Sequence, residues 1–215
     1  MTGKHPIVIT IGRQFGSGGR ELGRKLADRL GFRYYDKELL SEAAEHAGVD
    51  KAFFERCDER FPTFFNGIFS SAFGLSNVNF YAGSTSISDD SIYRAQSDFI
   101  HSLADRSDCV IVGRTADYVL RDHERLVNIF VHAPIDSCVA RIMARDGGSL
   151  TPDKARAKAL KMNKLRANYY NFYTDKVWGA ASSYDLTFDT SRMPMDRIVD
   201  VIVAYITSRF PDFKS

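Results

Sequence analysis

Cysteine, long apolar runs and charge of one sign are all scarce in this sequence, and each shortage closes off a class of protein. Only Cys57, Cys109 and Cys138 occur among its 215 residues. Three thiols make no paired disulfide framework and no metal-ligand spacing, so they read as reduced thiols of a cytoplasmic protein. The histidines (His5, His46, His101, His123 and His132) are dispersed, and no metal site is expected. No apolar run is long enough to span a bilayer. The N-terminus, polar and then strand-like, reads as lacking a signal peptide. A formal net charge of +2 is too small to argue for nucleic acid. No nucleophilic triad pattern is present, so any catalysis is expected to proceed without a covalent intermediate.

One more absence is local. The run Ile7-Val8-Ile9-Thr10-Ile11 leads into Gly12-Arg13-Gln14-Phe15-Gly16-Ser17-Gly18-Gly19-Arg20, and a helical pattern follows. Strand, glycine turn and helix in that order make a phosphate-binding loop, in which backbone N–H groups and a helix N-terminus converge on an anion. The common form of this loop ends in Gly-Lys-Ser/Thr. Here no lysine lies between Lys4 and Lys25.

The rest of the chain is well supplied with the makings of one globular domain, 44% hydrophobic and 26% charged. Buried-strand runs are expected at 7–11, 33–35, 109–112, 126–132 and 185–189. Helical patterns cover 19–30, 37–47, 91–103, 134–145, 153–173 and 196–210, with a short helix at 116–120. Leu22, Leu26 and Leu30 mark the inner stripe of the first, and Gly31 its C-cap. Alternating strands and helices imply an α/β fold with a five-stranded, mainly parallel sheet and helices on both faces. Ligands of such sheets bind beyond the carboxyl ends of the strands. Those ends carry the Gly16 to Arg20 loop, Asp36, Gly113-Arg114, the Pro134 turn and Asp189-Thr190-Ser191.

Two segments stand apart. Residues 50–90 are one: from Phe61 to Asp90 they lack clean periodicity, and between Phe61 and Tyr81 they are rich in aromatic residues. This stretch suits a capping subdomain, or a flap that closes on substrate or packs against a second subunit as a homodimer. Residues 141–175 are the other, and between Arg141 and Asn168 they are strongly basic, with Arg141, Arg145, Arg156, Lys158, Lys161, Lys164 and Arg166 opposed by Asp146 and Asp153. They suit a helical lid over polyphosphate, or a solvated helix face.

Taken together, Gly16-Ser17-Gly18, Tyr35-Asp36, Val112-Gly113-Arg114-Thr115-Ala116-Asp117, Asn128-Ile129-Phe130-Val131-His132-Ala133 and Asp189-Thr190-Ser191 resemble the cytidylate-kinase-like branch of the nucleoside monophosphate kinases. The resemblance covers most of the chain in order and is weakest over residues 50–90. It implies a three-layer P-loop kinase fold and ATP-dependent transfer, with Mg²⁺, to a nucleoside monophosphate, CMP or dCMP first. A kinase for another small acceptor, or a nucleotide-binding regulatory protein without catalysis, remains open because the loop lysine is absent. In ordinary members that lysine falls at Gly19, and a threonine that helps hold Mg²⁺ falls at Glu21.

The resemblance implies a donor cradle of Arg13, Gly16, Ser17, Gly18, Gly19 and Arg20. Arg20, with Arg13 entering from the other side, is the candidate replacement for the lysine, since arginine can bind phosphate bidentately. Arg20 also suits a solvated first-turn residue, and Ser17 suits either a metal-facing hydroxyl or a helix cap. Asp36 and Arg114 are the implied acceptor clamp, with Asp117 nearby. Asp36 equally suits an N-cap and Asp117 a structural partner. Arg141, Arg145 and Arg166 are the lid arginines expected to reach the transferring phosphoryl group.

Overall fold

The computed structural model describes residues 5–36 and 89–213. The 37–47 helix, the 50–88 part of the insert with its aromatic 61–81 stretch, His46 and Cys57 lie outside the described residues.

Five strands form one sheet in the order β2-β3-β1-β4-β5, and every described pairing is parallel. They are β1 (Val8–Arg13), β2 (Arg33–Tyr35), β3 (Cys109–Val112), β4 (Leu126–His132) and β5 (Leu186–Asp189). β1 is central, with Val8 opposite both Cys109 and Leu126. Its polar residue is accommodated inside the sheet, where Thr10 Oγ1 donates to Asn128 Oδ1 at 2.6 Å. The chain leaves β1 toward β2 on one side and leaves β3 toward β4 on the other. The carboxyl end of β1 therefore sits where the direction of connection reverses, the usual ligand crevice of such sheets.

Helices cover both faces. On one, α1 (Gly19–Leu30) and α6 (Met195–Arg209) bury Leu22, Leu26, Ile198, Ile202 and Ile206 against Ile9, Ile11 and Val110. On the other, α2 (Asp89–Ala104) and α3 (Ala116–Val119) bury Phe99, Ile100 and Leu103 against Ile111 and Leu120. The expected stripe of α1 is the one that packs, because its period-four leucines leave no other face apolar. Gly31 ends α1 in the left-handed conformation, φ 70°.

A third, smaller cluster lies above the carboxyl edge of the sheet. α4 (Ile135–Arg145) and α5 (Pro152–Thr174) pack Val139, Ile142, Ala155 and Ala159 together, with Phe15 of the glycine loop among them. Thr151 caps α5 and Pro152 occupies its first turn. An Arg156–Asp136 ion pair ties the two helices. Cys109 and Cys138 are buried free thiols, and burial pushes the Cys109 thiol up to about 12. Among the described residues no helix is long and apolar enough to cross a membrane.

Candidate phosphate-binding site

The loop between β1 and α1 turns on two glycines held left-handed, Gly16 at φ 83° and Gly18 at φ 88°. A side chain at Gly16 would also collide with α4, since its Cβ would stand 2.7 Å from Cys138 O. Only glycine meets both demands. The loop therefore lies flat on α4 and delivers its backbone to the N-terminus of α1.

Side chains from three elements then fix that backbone. Ser17 is fully buried, and its hydroxyl donates to Gln14 O at 2.9 Å. Arg141 of α4 donates to Ser17 O at 3.3 Å, to Thr190 Oγ1 at 3.0 Å and to Thr190 O at 2.9 Å. Thr190, just past β5, itself donates to Ser17 O at 2.6 Å. From α5, Asn163 Oδ1 accepts from Phe15 N at 2.7 Å, and Arg166 donates to Arg13 O at 3.1 Å. The Phe15 ring lies under three cations, Arg145 at 5.4 Å, Arg166 at 5.5 Å and Lys158 at 6.0 Å from its centroid. Such contacts hold cations close together at modest cost, because the ring face is electron-rich.

The space enclosed is a cavity of about 650 Å³ lined by Arg13, Gly16, Gly18, Gly19, Arg20, Arg141, Arg145 and Arg166, among others. Among the described residues five arginines converge there, and Glu21 is the one acidic residue on its wall. No group of three or more His, Cys, Asp or Glu able to hold a metal occurs among the described residues.

The residues expected from the sequence to meet an acceptor, Asp36, Arg114 and Asp117, follow the neighbouring strands. Asp36, past β2, is 4% exposed, accepts from Tyr34 Oη at 3.2 Å and lies 3.9 Å from Arg20 Nε. Burial and the neighbouring Asp36 charge raise the Tyr34 hydroxyl above its ordinary value. Arg114 follows β3 and is 8% exposed. Gly113, Arg114 and Thr115 have φ of 86°, 63° and 51°, three left-handed residues in a row. Left-handed Arg and Thr are strained, and such strain clusters at functional sites. Asp117 faces elsewhere: it is buried and accepts from Tyr170 Oη of α5 at 2.7 Å. Burial raises its carboxyl above the ordinary value, against the hydrogen bond from Tyr170.

The structure thus brings Arg13, Gly16, Gly18, Gly19, Arg20, Arg141, Arg145 and Arg166 to one cavity. Asp36 and Arg114 stand at the strand ends beside it, and Asp117 is joined to α5 by Tyr170. Ser17 turns its hydroxyl into the loop. Asn163, Thr190 and Phe15 were not singled out by sequence as fixing the loop. Thr190 falls in a quoted motif, but nothing in the local pattern of Asn163 marks it.

Residues 8–192 match the model of the cytidylate kinase-like family. A cytidylate kinase of Methanopyrus kandleri is 26% identical over 213 residues, covering 93% of each chain. The structure is similar to that of an uncharacterized protein from Eubacterium ventriosum, with TM-score 0.70 and 29% identity over 94% of this chain and 99% of that one. A shikimate kinase from Bacteroides thetaiotaomicron shares the fold, with TM-score 0.52 and 12% identity over 93% and 98% of the two chains.

Proposed function

The chain belongs to the cytidylate kinase-like family, and on that premise we propose that it transfers the terminal phosphoryl group of ATP to a nucleoside monophosphate, with CMP or dCMP as acceptor. The observation that carries this reading is the cavity at the glycine loop, whose wall, among the described residues, holds five arginines against one carboxylate. Phosphoryl transfer between phosphates asks little covalent chemistry of a protein; it asks for positioning and charge neutralisation.

The loop backbone from Gly16 to Arg20 cradles the donor phosphates. Arg145 and Arg166, gathered over Phe15, bring positive charge from α4 and α5 to the outer side of the same space. Arg141 spends its hydrogen bonds on Ser17 and Thr190, so its role is to hold the loop in shape. Asp36 and Arg114 meet the acceptor. The donor set fits Mg²⁺ carried in with ATP: Glu21 offers one carboxylate at the cavity wall, and the phosphates supply the remaining charge. When bound, the ion would neutralise charge on the donor phosphates.

The M. kandleri relative carries the name cytidylate kinase, which favours CMP over other monophosphates. A second reading, a nucleotide-binding protein without transfer, draws on the glycine at position 19 and on the engaged Ser17 hydroxyl. Coupled ADP release with CMP, dCMP, UMP and AMP separates the two. Turnover with CMP or dCMP above the rest is expected. ATP binding without turnover on any of them would overturn the transfer reading.

A further inference from the structure

We propose that the cation lost from position 19 has been relocated to Arg13, and that glycine at 19 and at 113 is the room this relocation needs. The inference rests on the transfer reading above and assigns one of its charges to one side chain.

Arg13 is the last residue of β1, opposite Val131 of β4. Its stem lies over Gly19, the first residue of α1: a Cβ built there would fall 2.6 Å from Arg13 Cβ and 2.9 Å from Cγ. Its guanidinium lies on Gly113, where a built Cβ would fall 2.7 Å from Arg13 Cζ. The side chain therefore runs from the start of α1 to the end of β3. It fills the volume into which any side chain on residue 19 would first project. It also passes from the donor loop to the segment carrying Arg114, and it lines the cavity. The Arg166 hydrogen bond to Arg13 O fixes the backbone from which it starts.

Arg20 is placed differently. Its side chain is 45% exposed, and its Nε stands 3.9 Å from Asp36 Oδ2. Of the two arginines proposed from the sequence, Arg13 is the one whose stem lies over Gly19.

In the transfer, an ionised oxygen of the acceptor phosphate forms the new bond to the γ-phosphorus. The bond from that phosphorus to the β–γ bridging oxygen breaks, and the electron pair stays on ADP. No proton from the protein is required. Arg13 contributes positive charge and a planar pair of donors between donor and acceptor phosphates, which a lysine would supply as a point charge.

The test compares wild type with Arg13→Met, Arg13→Lys, Gly19→Lys and the double variant Arg13→Gly/Gly19→Lys. Each is checked for folding by circular dichroism and assayed both for ADP release with CMP and for binding of inorganic tripolyphosphate by calorimetry. Arg13→Met keeps the apolar stem over Gly19 and removes the charge. The expected result is a fall in kcat of about a hundredfold for Arg13→Met, with about tenfold weaker tripolyphosphate binding. Arg13→Lys and the double variant should each recover at least about tenfold over Arg13→Met, while Gly19→Lys alone collides with Arg13 and stays impaired. If Arg13→Met matches wild type in both readouts, the relocation is wrong while the transfer reading stands. If wild type never turns over but tripolyphosphate binding follows the expected order, the relocation stands and the transfer reading falls.

Discussion

Asn163 of α5 accepts a hydrogen bond from the backbone N–H of Phe15 at 2.7 Å, across 148 residues of sequence. A donor of the glycine loop is thereby committed to the basic helix above it. Together with the Arg166 bond to Arg13 O, it makes the helix and the loop one unit. Replacing Asn163 by Leu keeps the bulk and strands the Phe15 N–H, which costs about 1–3 kcal/mol where that group is shielded from water. Urea unfolding should show that loss, and KM for ATP should rise by more than kcat falls. Unchanged stability together with unchanged KM would mean that the bond does not hold the loop.

Arg141 and Arg145 lie one helical turn apart, line the same cavity and should answer differently to substitution. Arg141 is committed to Ser17 and Thr190, and losing hydrogen bonds from a charged donor costs about 1.5–3 kcal/mol each before relaxation. Arg141→Met should lower Tm and activity together. Arg145 is exposed over Phe15, so Arg145→Met should lower kcat by about tenfold or more with little change in Tm. Thermal melts alongside kinetics check both.

Asp117 gives a pH dependence of stability with a definite sign. Its folded carboxyl sits above its ordinary value, chiefly because it is buried. A raised acid contributes its full stabilisation below the unfolded value and loses it as pH rises through the folded one. Asp117→Asn does not titrate and can still accept from Tyr170. The stability of Asp117→Asn relative to wild type should therefore rise from about pH 4 to about pH 8. A gap that narrows over the same range would show that Asp117 is stabilised, not penalised, as a carboxylate.

Two left-handed glycines should differ sharply when changed to alanine. At Gly31, φ is 70° and a Cβ would meet nothing within 4 Å, so Gly31→Ala should cost only the conformational strain of about 1–2 kcal/mol. At Gly16, φ is 83° and the Cβ would stand 2.7 Å from Cys138 O. Gly16→Ala should cost clearly more and weaken ATP binding as the loop lifts from α4. Equal Tm values for the two variants would contradict this packing.

Much of the framework was legible in the sequence because its signals are local. The runs at 33–35, 109–112 and 126–132 and the helix at 19–30 coincide with β2, β3, β4 and α1, each set by β-branched or aromatic residues, leucine period or a terminal glycine. The end of β1 was read two residues short, because Gly12 and Arg13 extend the ladder opposite Phe130 and Val131 despite their low strand propensity. The wiring of the site was less legible. Thr190 reaches Ser17 across 173 residues and Tyr170 reaches Asp117 across 53, distances at which no periodicity operates. The course of Arg13 over Gly19 toward Gly113 depends on how β1, β3 and α1 meet, which residue order alone does not specify.

The most direct test of transfer is to follow ATP, Mg²⁺ and CMP with the protein by phosphorus-31 NMR. The account predicts matched loss of the γ-phosphate and CMP resonances, with ADP and CDP appearing in equal amounts. ADP with free phosphate and unchanged CMP, or no change at all, would contradict it.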